Sequence, residues 1–150
     1  MTAVDDRPAA GAEIGLSRTR REDQHLITGN TTWVDNMQLP GMLHLAIVRS
    51  SMAHATITSI DASGALDRPG VLGVYTGKDF AEVQGNVPCA WPVTPDMVNP
   101  GAPSLAVDVV RHVGEAVAVV AARTKAAAED AAESIFVDYE PLPVVLNMIE

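Results

Sequence analysis

The stretch Arg111–Val145, RHVGEAVAVVAARTKAAAEDAAESIFVDYEPLPVV, decides the fold. Its first part, Ala116–Ala121, is a short run of Val and Ala with no polar interruption, the composition of a strand covered on both faces. Lys125–Ser134 follows with Ala127, Ala128, Ala131, Ala132 and Ile135 at helical spacing, and Glu129, Asp130 and Glu133 on the opposite side. A stripe of alanines lets a helix lie close to a sheet. Thr124 is placed to cap it, without a glutamate or glutamine three residues on to complete a capping box. Ile135–Tyr139 predicts a second strand, closed by the rigid turn Pro141-Leu142-Pro143. The unit is well specified for packing and holds almost no reactive side chain.

Working outward, Met1–Glu13 is small and polar and reads as a flexible arm; residues 14–150 read as a single domain. Ile14–Leu26 is charged and predicts one short helical turn on a surface. Thr31–Val34 predicts a short strand, with a turn over Asp35–Gly41. Met42–Arg49 predicts a strand buried on both faces. In His54–Ile60 the alternation sets Ala55, Ile57 and Ser59 on one side and Thr56, Thr58 and Ile60 on the other. Asp61 can cap a short helix over Ala62–Leu66, ended by Arg68-Pro69-Gly70. Val71–Tyr75 is the next strand, and Thr76 or Lys78 can open a helical turn toward Phe80. Gln84–Pro103 holds five prolines and reads as a long loop. Leu105–Val113 predicts another strand. The sum is an α+β domain of short mixed strands with two or three helices.

Composition narrows the function. Hydrophobic residues make up 47% of the 150 positions and aromatics only 4%, so the core is aliphatic. A net charge of −9 disfavours nucleic acid and anionic membrane surfaces, both of which reward Lys and Arg. One cysteine, Cys89, permits neither an internal disulfide nor a cysteine zinc site. No signal peptide or membrane-spanning stretch is legible, which makes the cytoplasm the expected compartment and membrane insertion unexpected.

Candidate chemical residues read as structural. A metal would have to join His44 and His54 with Asp35 or Asp61, but His25, His44, His54 and His112 show no paired spacing and read as hydrogen-bonded histidines. Ser50, Ser51 and Ser63 lack a nucleophile elbow. Glu22–Asp23 and Glu129–Asp130 are adjacent pairs whose side chains diverge on a helix. Gly70, Gly73 and Gly114 build no nucleotide loop. Cys89 has no basic neighbour in its loop and reads as a passive thiol, while Trp91 beside it could anchor a partner. Glu115, after Gly114 at the mouth of the apolar strand, is open to two readings: a functional carboxylate, or an acid that binds loop amides or an arginine.

The residues in order resemble a known family. Ile14-Gly15, Arg21-Glu22-Asp23, Leu26-Ile27-Thr28-Gly29, Trp33-Val34-Asp35, Leu39-Pro40-Gly41-Met42-Leu43-His44, Val48-Arg49-Ser50, Ala53-His54-Ala55, Ile60-Asp61, Pro69-Gly70-Val71, Val113-Gly114-Glu115, Val117–Val120 and Asp138–Pro143 are similar to the N-terminal α/β hammerhead domain of molybdenum hydroxylase large subunits. These are the xanthine dehydrogenase, aldehyde oxidase and aerobic carbon monoxide dehydrogenase enzymes, and the chain looks closest to the bacterial carbon-monoxide-dehydrogenase-like branch. Three positions depart from the family pattern: Ser51-Met52 where the family often reads Pro-His, Ala116 where it usually has Pro, and Asn36 where it commonly has a second Asp. They leave the parent substrate open. The resemblance implies a domain with no catalytic, cofactor-binding or metal residue of its own. Molybdopterin would sit in later domains, with 2Fe-2S clusters and FAD on other domains or subunits. The implied partners are those molybdopterin-binding domains, an iron–sulfur subunit and a flavin subunit, and the chain alone is expected to be colourless and inactive. Val144–Glu150 ends in mid-element, as in a fragment or a split gene product. Two other readings stay open: a free-standing interaction or assembly protein that keeps the fold, and a small-ligand domain with Gln84–Pro103 as lid.

Overall fold

The computed structural model describes residues 19–87, 94–98 and 100–147. Contacts divide the chain after Pro40 into two units. In the first, the charged segment forms a single turn of helix, α1 (Asp23–Ile27), closed by Gly29 at φ +71°, a left-handed conformation that favours glycine. The strand expected over Thr31–Val34 is absent. A 3-10 turn occupies Val34–Asn36 instead, because the Asn36 carboxamide accepts the Trp33 amide hydrogen and folds the backbone onto itself.

The second unit holds two antiparallel three-stranded sheets. One has the order β1 (His44–Arg49), β5 (Ala116–Ala122), β3 (Val71–Thr76); the other has β4 (Val109–Val110), β2 (Ala55–Asp61), β6 (Phe136–Pro141). β5 is the centre of the first sheet. Its register pairs Ile47 and Tyr75 with Val119 from either side, and Ala46 and Val74 with Val120. The Val/Ala run predicted for this strand therefore sits where no edge is free.

The alanine helix, α3 (Lys125–Ala132), packs on this sheet. The Thr124 hydroxyl accepts the Ala127 amide hydrogen at 3.1 Å, as its position predicted. Ala128 and Ala131 are fully buried, and Ala131 meets Val120, Ala65 and Ile135 in one core cluster. Short side chains on both partners permit this approach; Ala118 and Ala122 of β5 are fully buried as well. Ala65 belongs to α2 (Ser63–Leu66), where the Asp61 carboxylate accepts the Ser63 amide and hydroxyl hydrogens.

A second cluster gathers Ala55, Ile57, Ala106, Val110 and Val117. The β1–β5 register passes from Val48↔Ala118 to Arg49↔Ala116, leaving Val117 unpaired at a bulge and free to join this core. Ile60 and Val137 pack against both clusters and so join the two sheets. The register shift between Ile57 and Ser59 breaks the even alternation expected of this strand.

Two further strand expectations are corrected. The strand predicted over Met42–Arg49 starts at His44, after the turn at Gly41, and alternates between half-buried and exposed residues instead of being covered on both faces. The strand predicted over Leu105–Val113 shrinks to Val109–Val110 because neighbouring backbone groups take other partners. The Gln84 carboxamide accepts the Leu105 amide hydrogen, and Ala106 donates to the Ala116 carbonyl at 2.8 Å. α3 ends two residues before the predicted Ser134. The helical turn expected toward Phe80 is a series of hydrogen-bonded turns opened by Asp79, whose carboxylate accepts the Thr76 amide and hydroxyl hydrogens. In the proline-rich loop an isolated bridge joins Asn86 to Pro103. Pro88, Cys89, Trp91 and Pro92 fall outside the described residues. No helix among the described residues is long and apolar enough to cross a membrane.

Gly77 shows how closely the backbone packs behind β3. A Cβ there would lie 2.1 Å from the Ala106 carbonyl oxygen, whereas Gly85 has nothing within 4 Å. Gly77→Ala is expected to cost roughly 1–3 kcal/mol, as overpacking of a tight contact does, and Gly85→Ala to stay within about 0.5 kcal/mol. Urea unfolding midpoints of the two variants check this; equal midpoints would contradict the packing.

Candidate functional site

Of the acids weighed from the sequence, Glu115 is the one the fold buries, at 9% exposure. Gly114 precedes it at φ +89°, which turns the chain so that the carboxylate points back over the loop before β5. The carboxylate accepts the Arg111 amide hydrogen, and His112 Nδ1 stands 3.7 Å from Oε2. The Glu115 carbonyl accepts the Ser50 amide hydrogen at 2.8 Å, and Gly114 donates to the Ser50 carbonyl at 2.8 Å. Arg49 Nη1 donates to the Gly114 carbonyl at 2.9 Å, a contact that no sequence pattern signals because 65 residues separate the two. Ser50 is buried, and its hydroxyl donates to the Met52 carbonyl at 2.9 Å. Of the two readings of Glu115, this geometry gives the acid that binds loop amides. It locks the loop before β5 to the end of β1.

The other candidates are spread apart. His44 lies on β1 opposite Ala122, in one sheet. His54 precedes β2 of the other, its Nδ1 2.7 Å from the Pro143 carbonyl oxygen, while Leu142 donates to the His54 carbonyl at 2.9 Å. These two bonds clamp the segment that leaves β6. His25 is exposed at the end of α1. Asp61 is taken up at the start of α2. Ser63 belongs to the same turn. Among the described residues no three His, Cys, Asp or Glu side chains converge as metal ligands. Glu129 and Asp130 are exposed on α3, away from the sheet. Three carboxyls are held below their ordinary range by turn hydrogen bonds: Asp61 by the Ser63 hydroxyl and amide, Asp79 by the Thr76 amide and hydroxyl, and Asp96 by the Thr94 hydroxyl. All three serve local turns.

A pocket of about 290 Å³ with a mixed lining is formed by Ala53, His54, Arg111 and Pro143–Val145. A different concavity, about 500 Å³, lies on the face of β1 and β5 opposite α3. It is lined by Leu45, Ile47 and Val119, with Phe80 and Val83 from the turns after β3. The sequence did carry a signal for it, the apolar run of β1, although periodicity alone could not say that one face would be open.

If Glu115 is the anchor of this loop, Glu115→Ala leaves the Arg111 amide without its acceptor and costs roughly 1–3 kcal/mol, while Glu115→Gln, which keeps a carbonyl oxygen, loses less. Denaturant midpoints at neutral pH test the order; a Glu115→Ala variant as stable as the parent would overturn it.

Comparison with known proteins gives this architecture a family. Residues 28–143 match the model of the aldehyde oxidase and xanthine dehydrogenase a/b hammerhead domain. The gamma subunit of the 6-hydroxypseudooxynicotine dehydrogenase complex of Paenarthrobacter nicotinovorans is 40% identical over 96% of the chain and 19% of its own length. The crystal structure of quinoline 2-oxidoreductase from Pseudomonas putida 86 superposes with a TM-score of 0.75 at 46% identity, covering 86% of this chain and 16% of that one. That of a Cu,Mo carbon monoxide dehydrogenase gives 0.73 at 38%, covering 89% and 16%. The chain thus spans less than a fifth of the length of the proteins it matches, and corresponds to one region of molybdenum hydroxylase large subunits. With two small antiparallel sheets and one alanine-faced helix as its frame, the chain belongs to the a/b hammerhead domain family of aldehyde oxidase and xanthine dehydrogenase.

Proposed function

We propose that this chain is the non-catalytic N-terminal domain of a molybdopterin-dependent oxidoreductase large subunit, with residues 14–150 acting as a single domain behind a short arm. It packs against the cofactor-binding domains and helps to seat an iron–sulfur subunit and a flavin subunit in the cytoplasm. The observation that carries the reading is the family match over residues 28–143, joined to 46% identity with one region of a quinoline oxidoreductase.

This reading gives the chain no part in holding the cofactor, in keeping with His54 Nδ1 lying against the Pro143 carbonyl and the Glu115 carboxylate accepting the Arg111 amide hydrogen. Molybdopterin, when bound elsewhere in the complete enzyme, would supply oxidative hydroxylation of the substrate with water, electrons leaving through iron–sulfur centres to flavin. The part of this chain is mechanical: a rigid pair of sheets whose loops are fixed by Glu115, Ser50 and His54.

Purification from the source cell through a tag on this chain tests the proposal. Molybdenum, iron and flavin are expected to co-purify, and the preparation should reduce a dye acceptor, while the 150-residue chain alone does neither. Recovery of the chain without molybdenum would overturn the reading and favour a free-standing assembly protein.

A further inference from the structure

β5 reads AVAVVAA and β1 carries the run LAIV, apolar at every position, as strands covered on both faces do. α3 covers one face. Directly paired residues of antiparallel strands project to the same side, so the register sets Leu45 and Ile47 of β1 beside Ala121 and Val119 of β5, with Tyr75 of β3 next to Val119. On this other face Leu45 is 65% exposed, Ile47 45% and Tyr75 42%. Leu45 and Ile47, with Phe80 and Val83, border the groove of about 500 Å³, and no residue that lines it is charged, in a chain whose net charge is −9. A contiguous apolar face of this kind marks a contact surface.

Three observations select its occupant. The lack of charge excludes a nucleic acid or any partner recognised by ion pairs. The shape is concave, and two copies of the chain set groove to groove would enclose empty space, which dense packing disfavours. The chain corresponds to 16% of the quinoline oxidoreductase chain at 46% identity, so its relatives carry the rest of a large subunit in the same polypeptide. We infer that the outer face of β1, β5 and β3 seats the remainder of the large subunit, through an uncharged, aliphatic segment that enters the groove between Ile47 and Phe80. This rests on the function proposed above and adds to it the face and the chemistry of the contact.

Carbene footprinting with a photolysed diazirine tests the assignment on the enzyme purified through this chain and on the 150-residue chain alone. Burial at protein-interior packing is expected to lower labelling of Leu45, Ile47 and Tyr75 about fivefold in the enzyme. Ile47→Asp, which would bury an unpaired charge, is expected to reduce recovery of assembled enzyme about tenfold, with Ile47→Val restoring it; the thermal midpoint of the isolated Ile47→Asp chain should stay near that of the parent. Molybdenum-containing enzyme in which the face labels as fully as in the free chain would overturn the inference while leaving the proposed function standing. Purified material without molybdenum defeats the function itself. Protection that grows with concentration in the free chain would assign the face to a second copy and overturn the inference as well.

Discussion

The approach of α3 to β5 is the contact from which the rest of the second unit follows. Ala131 reaches Val120, and Ala128 lies fully buried on the same helix, because neither partner carries a side chain long enough to hold the layers apart. Each alanine buries little area, so the gain comes from close packing over the whole face and from the low entropy cost of fixing alanine. With the helix seated, β5 is bonded along both edges, and β1 and β3 are placed by its register. The turn after β3 then brings Gly77 against Ala106, and the bulge at Val117 reaches into the second core.

The second sheet is tied to the first by few residues. Ile60 and Val137 contribute to both clusters, and Ala106 exchanges a backbone bond with the start of β5. The polar anchor at Glu115 and Gly114 sets where that start lies relative to Ser50. Such a domain stores its specificity in backbone pairing and small-residue packing, and leaves its polar side chains to fix loops.

The parts legible in the sequence are those whose pattern is local. Thr124, the alanine stripe and the Val/Ala run of β5 each declare a cap, a helix face or a buried strand within a few residues. Asp61 likewise shows its turn through the hydroxyl-bearing Ser63 beside it, and Thr76, read as one possible opener of the turn toward Phe80, is joined there by Asp79. Where pairing is between distant segments, the reading failed. Leu105–Val113 has strand composition, yet Gln84 takes the Leu105 amide and only Val109–Val110 remains in a ladder. Thr31–Val34 has β-branched and aromatic residues, but Asn36 offers a nearer partner than any strand. β1 was read as covered twice because its residues are apolar on both sides, and the described residues supply one cover. The loop reading of Glu115 was one of two open from the sequence; the 65-residue separation from Arg49 kept the rest of its network out of sight.

β5 is the keystone of the second unit, and native-state hydrogen exchange measures this directly. If β5 is held by two strand neighbours and α3, the amides of Ala118–Ala121 exchange only through global unfolding, with an opening free energy equal to that from denaturant titration. If those amides instead exchange through a smaller opening that leaves the β2 and β6 amides protected, the second sheet holds the domain together and the account is wrong.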